Sequence, residues 1–323
     1  MPAFVMSLKE IARLLAEKDN FFLATHVNPD GDGIGSLLAL TLALKAQGKI
    51  VWPYLSDQIP DFLDWLPGKE LIRYELPEGG NWTAIVLDCG AASRLGDKAG
   101  PWVQGLSQVI VLDHHEVSGT LGTTRYVEIT FATAAIVFKL LGQMGISLTK
   151  EIATNLYVAI FSDTGGFRYQ QTTAETFSMA QKLIESGVNP SEVAQRLTEN
   201  FPLSRFCLLK KALSRLELKA SGKVAISYLS SDDYLSCEAG KADSDDFATM
   251  FRTIRGVEVS ALIKEYKPGE VTVSLRSRGH VNVAELAAHF GGGGHRFAAG
   301  FRTKGDISEI QQQLTRKLEA LFS

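Results

Sequence analysis

The sequence predicts an α/β protein in two parts, an N-terminal, mainly parallel sheet flanked by helices, joined by a helical linker to a smaller α/β domain. Three observations carry this. Short β-branched runs alternate with helical stretches through the first half, the pattern of βαβ units. The 323 residues leave room for two domains. The character of the chain changes after Gly187, where Val188-Asn189-Pro190 is a turn signal. The expected division is 1–187, a linker over 188–218, and 219–323.

Taken in order, Phe21 to Thr25 is the first strand, followed by a turn and a helix-like run from Ile34 to Ala46. Ile50 to Leu55, Ala84 to Leu87 and Val109 to Leu112 are further short strands. Phe131 to Gln143, Lys150 to Phe161 and Thr173 to Ser186 have the apolar spacing of helices. Pro190 to Leu218 reads as two bridging helices. Beyond it, Val224 to Leu229, Val257 to Glu265 and Val271 to Ser277 look like strands, with helices at Val283 to Phe290 and Ile307 to Leu321.

Composition narrows the function. With 45% hydrophobic and 21% charged residues the chain is globular, neither disordered nor fibrous. Lys9, Glu10 and Arg13 stand where a signal peptide needs an apolar stretch, and no run is long enough to span a membrane. A cytoplasmic location is therefore expected. Cys89, Cys207 and Cys237 are odd in number and widely spaced, which reads as buried thiols in a reducing compartment. The net charge of −3 gives no basic field for long duplex DNA. It conceals an asymmetry: residues 1–187 hold 14 basic and 20 acidic groups, residues 188–323 hold 19 and 16.

The acidic and imidazole residues cluster at the ends of elements, where open α/β sheets place their ligand crevice. His26, Asp30 and Asp32 share one Pro/Gly-rich turn; the next strands deliver Asp88 and then Asp113-His114-His115; a helix ends at Asp163-Thr164-Gly165-Gly166. Each piece has a plainer explanation. Asp30-Gly31-Asp32-Gly33 could be only a turn and helix cap, Asp88 a strand-end cap, and His114-His115 core or surface histidines. Together they are harder to dismiss, because crowded carboxylates repel unless cations compensate them. Oxygen-rich ligands with a minority of imidazoles suit Mn²⁺ or Mg²⁺ better than a structural zinc.

These residues, in this order, resemble the DHH phosphoesterase superfamily, named for the triplet found here as Asp113-His114-His115. Gly291-Gly292-Gly293-Gly294-His295, followed by Ala298-Ala299-Gly300, resembles the glycine-rich signature of the associated DHHA1 domain, and Ser274 to Ser277 and Asn282-Val283 also fit it. The resemblance covers nearly the whole chain and points to short two-domain bacterial enzymes of the nanoRNase (oligoribonuclease/pAp phosphatase) type. It implies a catalytic metal-binding DHH domain and a substrate-binding DHHA1 domain. It further implies two divalent cations, Mn²⁺ first, with Mg²⁺ or Co²⁺ as alternatives. His26 and Asp30 would bind one ion, Asp32, His114 and Asp163 the other, and Asp88 both. Asp113 would orient a neighbour and His115 would face the phosphate, so that Asp88, Asp113 and His115 form the catalytic set. Gly33 stands where many members have alanine, a departure expected to leave ligation intact.

For substrate, the resemblance favours Arg276, His295 and the backbone of Gly292, Gly293 and Gly294, with Arg168 as a second phosphate contact. Arg276 and Arg278, two positions apart on a strand, share a face and could form bidentate phosphate contacts. His280 and His289 read as loop and helix-surface histidines. The implied partners are short single-stranded RNA and small phosphorylated nucleotides, with a second copy of the chain as a further candidate. The implied activity is release of mononucleotides from very short RNA and dephosphorylation of 3′-phosphoadenosine 5′-phosphate (pAp) by metal-activated water. Open beside it stand a cyclic-dinucleotide or pApA phosphodiesterase, a pyrophosphatase or exopolyphosphatase, and a non-catalytic nucleotide-binding regulator.

Overall fold

The computed structural model describes residues 4–115 and 119–322. They fall into two compact units, 1–200 and 201–323. The stretch expected as a linker is divided between them at residue 200.

In the first unit the chain runs β1 (Phe4–Val5), α1 (Leu8–Glu17), β2 (Asn20–Ala24), α2 (Gly31–Ala46), β3 (Ile50–Tyr54), β4 (Thr83–Leu87), α3 (Ala99–Gln104), β5 (Gln108–Asp113), β6 (Thr124–Val127), α4 (Thr133–Gln143), α5 (Lys150–Asp163), α6 (Ala174–Glu185) and α7 (Pro190–Thr198). The strands form one sheet in the order β1-β6-β5-β4-β2-β3, and every pair is parallel. Both faces are covered, as parallel sheets require. Phe21, Leu23, Ile85, Leu87, Ile110 and Leu112 point into one core with the helices α2, α4 and α5. The alternate residues Phe22, Ala24, Ala84, Val86, Val109 and Val111 form the core on the other face.

After β2 the chain adds β3 on one side and then β4 on the other, so the strand order reverses between β2 and β4. Such a switch point opens a crevice at the carboxyl ends of the strands. The sixteen-residue helix α2 is apolar nearly all round and buried along most of its length, which marks it as a core helix. It packs against α5 through glycine: a Cβ added at Gly35 would lie 2.4 Å from the Asn155 carbonyl oxygen.

The second unit runs α8 (Leu203–Ser214), β7 (Glu217–Lys219), β8 (Val224–Leu229), α9 (Ser231–Ser236), α10 (Phe247–Arg252), β9 (Val259–Lys267), β10 (Glu270–Ser277), α11 (Val283–Ala288), β11 (Gly293–His295), β12 (Ala298–Lys304) and α12 (Ile307–Glu319). Its sheet is mixed, ordered β11-β12-β10-β9-β8-β7, with only β8 and β9 parallel. Ile226, Ala261, Val273 and Leu275 share one core with α11 and α12, while Ala225 and Leu262 pack with Leu208, Phe247 and Phe251 on the opposite face. Among the described residues no helix is long and apolar enough to cross a membrane.

The cysteine expectation needs correction. Cys207 on α8 and Cys237 at the end of α9 are bonded as a disulfide, with their Cα atoms 5.7 Å apart, and only Cys89 is a free, buried thiol. Spacing along the chain could not show this, because the packing of α8 near α9 is what brings the two together. The bond closes a separation of 30 residues. By loop-closure entropy that is worth about 3–4 kcal/mol. Reductant is expected to lower the melting temperature of the second unit, and a Cys207→Ser/Cys237→Ser variant should be insensitive to it. Identical melts of the parent with and without reductant would refute a stabilising cross-link.

Candidate metal centre

Three neighbouring strands bring the acidic cluster together. β2 runs into Thr25-His26, β4 into Asp88 and β5 ends on Asp113, with His114 and His115 next. Helix α2 supplies Asp32 in its first turn and α5 ends on Asp163. Three groups could each hold a metal ion: His26, Asp30 and Asp88; Asp32, His114 and Asp163; and Asp88, His114 and His115, the candidate ligand atoms of each lying within 4.8 Å of one another.

Asp88 joins them. Its Oδ2 lies 3.3 Å from His26 Nε2 and its Oδ1 3.4 Å from His114 Nε2. The residue has φ +57°, a left-handed conformation that few side chains other than Asn and Asp adopt readily. Asp30 Oδ1 accepts from the Asp32 and Gly33 N–H groups at 3.1 and 3.0 Å, capping α2, and lies 3.8 Å from His26 Nε2.

The histidines are held by their other nitrogen. His26 Nδ1 donates to the Val27 carbonyl at 2.9 Å and His114 Nδ1 to the Thr130 carbonyl at 3.1 Å. A carbonyl can only accept, so Nδ1 is protonated and Nε2, facing the carboxylates, is the nitrogen available to a metal ion, the arrangement typical of ligating histidines. His115 Nδ1 donates to Asp113 Oδ1 at 2.7 Å, and Asp113 is buried.

Asp32 shows how the fold accommodates its anions. α4 begins after Ala132, which offers no side-chain cap. Asp32 takes that place from α2: the Thr133 and Ala134 N–H groups donate to its Oδ2 and Oδ1 at 2.7 and 3.0 Å, and the Ser36 hydroxyl donates to Oδ1 at 3.2 Å. The Thr133 hydroxyl in turn donates to Asp88 Oδ1 at 2.9 Å. Sequence reasoning missed Thr133; its signal was indirect, a helix start with alanine at the capping position.

The protonation pattern is that of a cluster with excess negative charge. Burial works against the charge of His26 and His114, but contacts to Asp30 and Asp88 for the first, and to Asp88, Asp32 and Asp163 for the second, raise both to about 10. Burial, then Asp88 and Asp163, pushes the Asp32 carboxyl well above its ordinary value. Burial raises Asp163 to about 7, with His114 opposing. Burial of Asp88 is outweighed by His114 and His26, which hold its carboxyl far below the usual range. Asp163 Oδ2 is buried with no hydrogen-bond partner among the described residues. A divalent cation would satisfy that oxygen and neutralise the crowded carboxylates, so the donor set fits such an ion.

Proton release should accompany metal binding. As ligands, His26 and His114 would give up their Nε2 protons, so Mn²⁺ binding at pH 7.5 is expected to release at least two protons per chain. Affinity should then rise roughly a hundredfold per pH unit near neutrality. Calorimetric titration in buffers of different ionisation enthalpy reads the proton count; heats independent of buffer would contradict it.

The substrate candidates are more dispersed. Arg168 Nε donates to the Gly165 carbonyl beside Asp163. In the second unit Arg276, on β10, donates from Nε to Thr249 Oγ1 at 3.2 Å. Arg278 lies beyond the end of β10 and does not share its face as expected. Its guanidinium donates to the carbonyls of Arg252 and Ile254. His280 is highly exposed and His289 sits at the end of α11, its Nδ1 on the Glu285 carbonyl. The glycine run is part of the sheet rather than a linker. β11 pairs with β12, and a Cβ at Gly292 would fall 2.2 Å from the Gly300 carbonyl oxygen. Gly294, at φ +139°, is equally confined, whereas Gly293 faces open space. The side chain of His295 lies outside the described residues.

A six-stranded parallel sheet with histidines and aspartates gathered at its strand ends, followed by a mixed-sheet unit with a glycine-rich edge, defines a protein of two units whose first carries a candidate metal centre. Residues 20–160 match the DHH family N-terminal domain and residues 221–322 the DHHA1 domain. The chain belongs to the DHH/DHHA1 phosphoesterase family. It is 36% identical to the bifunctional oligoribonuclease and PAP phosphatase NrnA of Thermus thermophilus over 99% of this chain and 95% of that protein. The crystal structure of an exopolyphosphatase-related protein from Bacteroides fragilis superposes with a TM-score of 0.89 at 26% identity, covering 98% of this chain and 97% of that one. The fold also matches RecJ in complex with Mn²⁺ from Thermus thermophilus, with a TM-score of 0.57 at 16% identity over 98% of this chain and 55% of that one.

Proposed function

We propose that the chain is a metal-dependent phosphoesterase that degrades very short RNA to mononucleotides and dephosphorylates pAp. The observation that carries this is Asp88, one carboxylate with an oxygen directed at each of two histidine–aspartate groups. It is supported by near full-length similarity to a protein named for both activities.

In this reading His26, Asp30 and Asp88 hold one divalent cation, and Asp32, His114, Asp163 and Asp88 a second, with Mn²⁺ as the first candidate. When bound, such ions polarise phosphoryl oxygens and lower the pKa of water toward neutrality. The chain's own groups do the rest. The backbone carbonyls on His26 and His114 fix the tautomer that presents Nε2. Asp113 holds the His115 ring by Nδ1, leaving Nε2 to contact the phosphate or pass a proton to the departing oxygen. Arg168 beside Asp163, and Arg276 with Gly292, Gly293, Gly294 and His295 of the second unit, bind phosphate and nucleotide, Arg through its planar fork.

The test is a turnover panel with Mn²⁺ on di- to pentaribonucleotides, pAp, pApA, cyclic dinucleotides and pyrophosphate. Mononucleotides from short RNA and phosphate from pAp are expected at the highest rates. Preference for cyclic dinucleotides or pyrophosphate would replace the assignment, and tight pAp binding without turnover would indicate a regulator.

A further inference from the structure

Thr133 is the first residue of α4 and is completely buried. It touches two of the carboxylates through different atoms. Its N–H donates to Asp32 Oδ2 at 2.7 Å, and its hydroxyl donates to Asp88 Oδ1 at 2.9 Å. Asp32 and Asp88 come from different elements, 56 positions apart in the chain, and Thr133 is the one described residue that hydrogen-bonds to both.

The two bonds do different work. The N–H bond belongs to the helix terminus and survives any side-chain change. The hydroxyl bond is specific to Ser or Thr. Among the described residues it is the only hydroxyl donor to the Asp88 carboxylate, whose other side-chain neighbours are the imidazoles of His26, His114 and His115. The ligating imidazoles would turn their Nε2 atoms to the cations once ions bind, whereas the Thr133 hydroxyl has no such alternative. It is therefore placed to hold the rotation of the carboxylate about its Cβ–Cγ bond whether or not ions are bound. The backbone of Thr133 cannot drift, because its N–H is anchored on Asp32 at the start of a rigid helix.

We infer that Thr133 is a positioning residue of the metal centre: its hydroxyl aims the Asp88 carboxylate so that one oxygen faces each metal group, and its N–H sets the spacing of Asp32 from Asp88. This rests on the proposed two-metal phosphoesterase reading. Partners of ligating groups commonly change affinity or activity 10–100-fold when removed.

The discriminating variants are Thr133→Val, which keeps the shape and the N–H but lacks the hydroxyl, and Thr133→Ser, which restores it. Two readouts are taken on the full chain, Mn²⁺ affinity by calorimetry and kcat against KM for pAp. Thr133→Val is expected to bind Mn²⁺ roughly tenfold or more weakly, and to lose roughly 10–100-fold in kcat with KM nearly unchanged. Thr133→Ser is expected within about threefold of the parent in both. Wild-type affinity in Thr133→Val, or equal impairment of Val and Ser variants, would overturn the inference. So would a Val variant whose kcat and KM change together with a collapsed melting temperature while Ser fails to rescue it. If the parent turns over neither pAp nor short RNA, the functional reading fails separately, and the Mn²⁺ affinities of the two variants still decide the role of Thr133.

Discussion

Replacing Asp88 by Asn is expected to abolish Mn²⁺-dependent hydrolysis, with kcat on pAp and on di- to pentaribonucleotides falling by roughly 10³-fold or more. Its carboxylate reaches both metal groups, with His26 at 3.3 Å on one oxygen and His114 at 3.4 Å on the other. An amide keeps the shape but loses the charge, and its NH₂ would point a donor at one of the two histidine–aspartate groups in place of an acceptor. The same change removes the anion that holds the His26 and His114 protons, so both imidazoles should titrate well below their present value of about 10. Histidine resonances followed by NMR without metal would read this directly. Parent-like turnover in Asp88→Asn would sink the two-metal mechanism; unshifted histidines would contradict the electrostatics of the cluster.

The second large effect is on folding. Gly35 lies one turn beyond Asp32 on α2, and a Cβ there would sit 2.4 Å from the Asn155 carbonyl oxygen and 3.0 Å from Ala159 Cβ on α5. Backbone cannot rotate away as a side-chain tip can, so the helices must separate. Gly35→Ala is expected to destabilise by about 2–3 kcal/mol and to lower the melting temperature by roughly 5–10 °C. Because α2 carries Asp32 and α5 carries Asp163, Mn²⁺ affinity should fall as well. Gly142 is the matched control, a glycine within α4 with nothing within 4 Å of an added Cβ. There alanine gains helix propensity, and Gly142→Ala is expected to be neutral or stabilising by up to about 1 kcal/mol. Equal melting temperatures for the two variants would show that the α2–α5 contact is looser than described.

Much of the fold was legible because the parallel strands are continuous apolar runs bounded by turn residues. Val224 to Leu229 appears with the expected limits, and Lys150 to Phe161 only two residues short. Other elements were not. β6, Thr124–Val127, alternates without a strong apolar face and is specified by its place beside β5. α1 carries a visible signature, the reciprocal Ser7 and Glu10 capping box, but at ten residues with charges at Lys9, Glu10 and Arg13 it lacks the long apolar run that marks α2. β11 is glycine at two of three positions and is a strand solely because β12 pairs with it.

The site divides in the same way. Residues delivered by strand ends could be picked out from the sequence, since a charged residue directly after an apolar run has little else to do. Residues that support them could not. Thr133 and Ser36 are ordinary helix residues until tertiary packing sets them against Asp32 and Asp88. Arg278 failed for the converse reason: alternation places it beside Arg276 only while the strand lasts, and β10 stops at Ser277.

The cap that Asp32 provides for α4 bears on how such a chain would age if it ceased to act on phosphoesters. Asp32 would still be needed to close a helix that has only alanine at its start, and Asp30 would still cap α2. Drift would therefore spare both, and their presence in a sequence says little about living catalysis. Asp163 caps no helix: its buried Oδ2 accepts no hydrogen bond among the described residues and lies 3.7 Å from His114 Nε2, itself a member of the cluster. In a lineage abandoning the chemistry, that aspartate, tied only to the cluster and to no helix end, is expected to drift before Asp30 and Asp32.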